Sequence, residues 1–131
     1  MKTKEITLCG KQVTLAYCYA TEIGYKFLAD EDISDFTREA FECIKQNVMP
    51  DIKKTILFVG ASITSYYDSL PKEDNVKAPI NDGDLMYKCS PEDIGLALGT
   101  VLALRAEFYG IPASEAKEQE QNQKESDSKN D

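Results

Sequence analysis

A chain of 131 residues is long enough for one domain with a modest core, and its 42% hydrophobic and 29% charged residues are ordinary for a globular protein. The formal net charge of −8 argues against nucleic-acid backbones and anionic membranes as partners and leaves a basic or apolar protein partner open. With no histidine, the commonest general base and metal ligand at neutral pH is missing.

The opening segment, Met1 to Cys9, has no apolar h-region, so no secretory signal is expected. The longest uncharged apolar run, Ile94 to Leu104, falls far short of the roughly 20 residues that span a bilayer. Cys9, Cys18, Cys43 and Cys89 are scattered with no C-x-x-C pair, which favours buried or idle thiols over a zinc site. The expectation is a cytoplasmic, reduced protein with neither metal nor cofactor.

In chain order, Lys4 to Tyr19 reads as a β-hairpin. Ile6 and Leu8 alternate on one arm and Val13, Leu15 and Tyr17 on the other, with Gly10-Lys11 as a two-residue turn. That turn sets Leu8 opposite Val13 and Ile6 opposite Leu15, so all the large apolar residues share one face. A lone hairpin is marginal in water, so helices must cover that face. Ala20 to Ala29 forms a short helix with Ile23 and Phe27 four apart. The acidic link Asp30-Glu31-Asp32 leads to an amphipathic helix over Asp35 to Asn47, carrying Phe36, Ala40, Phe41, Ile44 and Val48 at helical spacing.

After Pro50, the residues Ile52, Ile56, Val59, Ile63, Tyr66, Tyr67 and Leu70 make a helical stripe, with Leu57, Phe58 and Ala61 off it. The β-rich run Thr55 to Val59 keeps a strand open as the alternative for residues 52–60. Pro71 to Asp84 reads as an exposed loop, and Leu85-Met86-Tyr87 as a short strand or a lead-in to the next helix. That last helix is the best-specified element. Ser90 supplies the N-cap, Pro91 the first helical position, and Gly110 with Pro112 the stop. Ile94, Leu98, Val101, Leu102, Leu104, Phe108 and Tyr109 fall on one arc and Gly95, Gly99, Ala103 and Ala106 on a flat second face, leaving Thr100, Glu107 and part of Leu96 for water. From Ala113 to Asp131 no apolar residue is larger than Ala. This acidic polar tail is expected to be disordered or an exposed helix.

The motifs that could carry chemistry are few. Phe58-Val59-Gly60-Ala61-Ser62-Ile63 resembles the first block of GDSL serine hydrolases, but Ala61 replaces the Asp and no histidine exists to accept a proton from Ser62. Gly95-Leu96-Ala97-Leu98-Gly99 is a G-x-x-x-G pattern that Ala103 extends. It allows close backbone approach, either to another helix of the same domain or to a second chain. Asn81-Asp82-Gly83-Asp84 lacks the bidentate Glu of a calcium loop, and the acids from Asp30 to Asp35 read as solvated turns. Both long helices carry more apolar surface than one layer of a small domain can cover. The surfaces on Gly95, Gly99 and Ala103 and on Leu57 and Phe58 are therefore the candidate protein interfaces, homo-oligomerisation included.

The hairpin Glu5 to Leu15, the short helix from Ala20 with Glu22, the acidic link Asp30 to Asp35, the small helices and the polar tail together resemble the tail assembly chaperones of long-tailed bacteriophages and prophages. The elements themselves predict an α+β fold, mainly helical, with an N-terminal hairpin packed on about four helices over residues 1–112 and a tail at 113–131. The resemblance implies a non-enzymatic helper in the bacterial cytoplasm that coats the tape measure protein and recruits tail tube subunits. Such proteins often occur in two lengths, the longer made by frameshifting. The rival readings are an acidic regulator that mimics nucleic-acid charge and a GDSL-like hydrolase using Ser62.

Overall fold

Apolar residues at positions 6, 8, 13, 15 and 17 can share a face only if the chain reverses between 8 and 13. In the computed structural model, which describes residues 1–111, it does so as an antiparallel hairpin of β1 (Lys2–Leu8) and β2 (Lys11–Tyr17). The turn is Cys9-Gly10, one residue earlier than expected, and both residues take positive φ, 54° and 76°. Leu8 therefore pairs with Lys11 and Ile6 with Val13, correcting the expected register. Partners shift by two, an even number, so the apolar face survives: Ile6, Leu8, Val13, Leu15 and Tyr17 are all buried.

Five α-helices follow among the described residues: α1 (Tyr19–Ala29), α2 (Ile33–Lys45), α3 (Ile52–Ser69), α4 (Asp82–Tyr87) and α5 (Pro91–Phe108), with a 3₁₀ turn at Lys72–Asp74. The fold is α+β and mainly helical, as expected. The tail at 113–131 lies outside the described residues. The caps of the two longest helices follow from their residues. Asp51 accepts the Lys54 N–H at 3.0 Å at the start of α3, and Ser90 accepts the Asp93 N–H at 3.1 Å at the start of α5. Asp30 ends α1 in the left-handed conformation at φ 53°, and Gly110 follows α5 at φ 72°.

Residues 52–60 are helix, the structure that the apolar stripe pointed to, and the strand alternative falls because continuous apolar contacts on several sides of α3 outweigh the β-propensity of its first turns. One further expectation is corrected. The segment read as loop and strand contains α4. Asn81 accepts the Asp84 N–H at 2.9 Å while the Asp84 carboxylate accepts the Asn81 N–H at 3.1 Å, a reciprocal cap that starts a helix where a turn was expected. Ile80 and Leu85, both buried, anchor it to the core.

α3 is the central element, touching α1, β2, α4 and α5. Gly60, Ala61 and Ser62 keep its middle thin enough for these neighbours to close in, and all three are buried. Its surplus apolar surface is consumed inside the domain, contrary to the expectation of an interface there. At one end of the core Tyr25, Phe36 and Phe58 from α1, α2 and α3 meet with ring centroids 5.1–6.0 Å apart.

Candidate functional site

The two predicted interface patches fare differently. Phe58 is fully buried in the aromatic cluster and offers no contact surface, a correction to its candidacy; Leu57 beside it is half-buried and packs on the core. Gly95, Gly99 and Ala103 are exposed on the outer face of α5. A Cβ built at Gly95 or Gly99 meets nothing within 4 Å, so no helix among the described residues uses the flat face. Leu96 is exposed alongside it. Thr100, expected to face water, is buried and donates to the Leu96 carbonyl at 2.8 Å.

A surface on α1 has no counterpart among the predicted sites. Tyr19, Ile23 and Phe27 lie four residues apart on its outward side and are 66%, 69% and 85% exposed. Leu28 extends this row toward a groove between α1 and α3 that is floored by Gly24 and Ala61. Helical spacing alone did not separate this row from a core-facing one. In the structure Thr21 and Tyr25, not Ile23 and Phe27, are the buried residues of α1. Both carry hydroxyls with dedicated partners. Tyr25 donates to Glu31 at 2.8 Å, and Thr21 shares a 2.8 Å hydrogen bond with Ser65.

Ser62 sits mid-helix with no exposure. Its hydroxyl donates to the Ala16 carbonyl at 2.7 Å and accepts the Ala16 N–H at 3.0 Å. A little further along, Tyr67 accepts the Thr14 N–H at 3.2 Å. α3 thereby satisfies the outer edge of β2, an edge that would otherwise invite another strand. The residue nominated as a nucleophile is a clip between helix and hairpin.

The acidic residues are likewise occupied. Lys54 bridges Glu31 and Glu39 at 3.0 and 3.3 Å, and Lys26 reaches Asp32 at 2.6 Å. Glu22 accepts from Tyr17 at 2.7 Å and from Tyr109 at 2.6 Å, joining the ends of β2 and α5 to α1. Burial, then the hydrogen bond to Glu22, holds the Tyr17 phenol well above its ordinary pKa. The hydrogen bond to Glu22, with burial second, pushes Tyr109 up to about 12. The Arg105 guanidinium lies 5.4 Å from the centre of the Tyr109 ring, and its buried Nε has no hydrogen-bond partner among the described residues.

The cysteines depart furthest from expectation. Cys9 and Cys89 are joined as a disulfide with Cα atoms 5.1 Å apart, where idle thiols were expected. Their separation of 80 residues hides the pairing from any local spacing rule. Asp93 sits against them and accepts the Cys9 N–H on Oδ2 at 3.3 Å. Cys18 and Cys43 are free.

Among the described residues no helix is long and apolar enough to cross a membrane. Compared with protein-family models, with curated proteins and with solved structures, the chain matches none of them.

Proposed function

We propose that this protein is a non-enzymatic binding module of the phage tail assembly chaperone kind. In that reading it works in the cytoplasm of a bacterial host, covers apolar segments of the tape measure protein and brings tail tube subunits to it. The observation that carries the reading is the row Tyr19, Ile23 and Phe27, each more than half exposed on one side of α1. Exposed aromatic and aliphatic side chains in helical register are the means by which one helix receives the apolar stripe of another. A net charge of −8 keeps the apolar row in solution and favours a client with basic residues beside its apolar ones.

The test is co-expression of the full chain with a tape measure protein and with tail tube protein, followed by co-purification. Replacing Ile23 and Phe27 together by Asp should weaken capture by at least about tenfold, because truncating central apolar anchors is what most reduces affinity. Both side chains already face water, so the fold should be unaffected. Tyr87→Asp on α4, at a side chain that is equally open to water but on neither candidate face, serves as the surface control. Equal capture by the wild-type chain and the double variant would refute a role for α1, and no capture by either would refute the chaperone reading.

A further inference from the structure

The tip of the hairpin and the start of α5 bring together three groups that ligate metals: the sulfurs of Cys9 and Cys89 and a carboxylate oxygen of Asp93, all within 4.8 Å of one another. We propose that, once the disulfide is reduced, Cys9, Cys89 and Asp93 bind a soft divalent cation of the zinc class. The donor set suits that ion, since two thiolates and a carboxylate are common zinc ligands and three protein ligands leave a fourth position for water or for a donor from a bound partner.

Geometry favours the site. Two thiolates about 2.3 Å from a tetrahedral zinc stand about 3.8 Å apart. Cysteines with Cα atoms 5.1 Å apart reach that spacing by side-chain rotation once the S–S bond opens. Asp93 keeps its Oδ2 on the Cys9 N–H, while Oδ1 takes no donor among the described hydrogen bonds and is free for the metal. The three residues stand on built structure. Cys9 is in the tight turn, Cys89 immediately precedes the Ser90 cap, and Asp93 is in the first turn of an 18-residue helix whose N-terminal end stabilises anions. All three are half-buried, so metal and reductant can reach them.

The chemistry balances. A small dithiol reductant passes two electrons and two protons to the S–S bond, giving two thiols and its own disulfide. The metal ion then takes both sulfurs as thiolates and releases two protons to solvent. A disulfide oxidant reverses the sequence: it accepts the two electrons, the Cys9–Cys89 bond re-forms, and the metal leaves.

The probe is cobalt(II), added to the phosphine-reduced full chain in which Cys18 and Cys43 are replaced by Ser. Expected are thiolate-to-cobalt charge-transfer bands and tetrahedral d–d bands that saturate at one metal per chain, vanish on oxidation and are displaced by zinc. Cys9→Ser and Cys89→Ser should each abolish the bands. Asp93→Asn should weaken binding by about tenfold or more, a typical loss when a site loses a ligand or its support. Circular dichroism checks that each variant is folded. A second measurement needs no variant: zinc should protect Cys9 and Cys89, but not Cys18 or Cys43, of the reduced wild-type chain from alkylation. Absence of the bands in the folded reduced protein, their survival in either Ser variant, or equal alkylation with and without zinc would overturn the proposal.

Discussion

A single hydroxyl shows how much one residue can hold together here. Ser62 satisfies both the N–H and the C=O of Ala16 from inside a helix, so Ser62→Ala leaves the buried Ala16 N–H without a partner and its C=O with only the longer 3.3 Å bond from the Thr21 hydroxyl. Orphaning buried polar groups costs about 1–3 kcal/mol each, although water admitted beside Ala16 would offset part of it. We expect Ser62→Ala to lower stability by about 2 kcal/mol in urea denaturation, with Ser62→Thr intermediate; a change too small to measure would mean that the clip is dispensable. The Glu22 site gives a pH prediction. Tyr109 has its phenol pushed up to about 12 and Tyr17 is raised as well, so folding favours the protonated forms. That contribution is fully present below the ordinary tyrosine pKa of about 10 and is lost as pH rises from there toward 12. Stability should therefore fall across that alkaline window. Glu22→Gln removes the carboxylate that accepts both phenols, and it should move the Tyr109 phenolate absorbance transition down toward the ordinary value. An unchanged transition in Glu22→Gln would show that the hydrogen bond does not set it.

At the scale of elements, one substitution made on two helices should have different outcomes. Gly99 faces open space on α5, so Gly99→Ala should stabilise the protein by up to about 1 kcal/mol through helix propensity alone. Gly60 on α3 has the Asp82 carboxylate resting where its Cβ would be, so Gly60→Ala must first turn Asp82 aside. We expect Gly60→Ala to show its propensity gain only when combined with Asp82→Ala; additive effects in a double-mutant cycle would refute the contact. The same two helices show what the sequence could disclose. α5 was legible to within a residue or two because Ser90, Pro91 and Gly110 are local signals that act through backbone geometry. α3 left a strand open because Ile56, Leu57, Phe58 and Val59 suit either structure, and only the elements packed around it decide. α4 was hidden by its own cap, since Asn81 and Asp84 are equally good turn residues. The hairpin tip moved by one residue because Cys9-Gly10 and Gly10-Lys11 both place a glycine where positive φ is required. The exposed row on α1 was invisible for a different reason. Periodicity shows that Ile23 and Phe27 share a face, but whether that face is covered depends on what the rest of the chain leaves available.

For the whole molecule, the long-range ties are the ones no local pattern could reveal, and the Cys9–Cys89 bond is the covalent one among the described residues. It closes a loop of 80 residues, encompassing β2, α1, α2, α3 and α4. In the chain-entropy description a loop of that length restricts the unfolded state by about 4–5 kcal/mol, and measured contributions commonly run to about 2–4 kcal/mol. α5 also packs directly on β1 and β2, so the noncovalent interface should persist without the bond. Reduction should therefore leave the protein folded but lower its unfolding free energy by about 2–4 kcal/mol. Because the restriction acts on the unfolded chain as a whole, the loss should appear as one cooperative transition displaced to lower urea, and not as separate fraying of the hairpin. Urea denaturation with and without a phosphine reductant, monitored by far-ultraviolet circular dichroism, measures the displacement. The Cys9→Ser/Cys89→Ser double variant should unfold at the reduced midpoint whether or not reductant is present. If reductant shifted that variant equally, the effect would lie elsewhere than in this bond. If the midpoint of the wild-type chain did not move, the contacts of α5 with the hairpin would by themselves carry the closure of the domain.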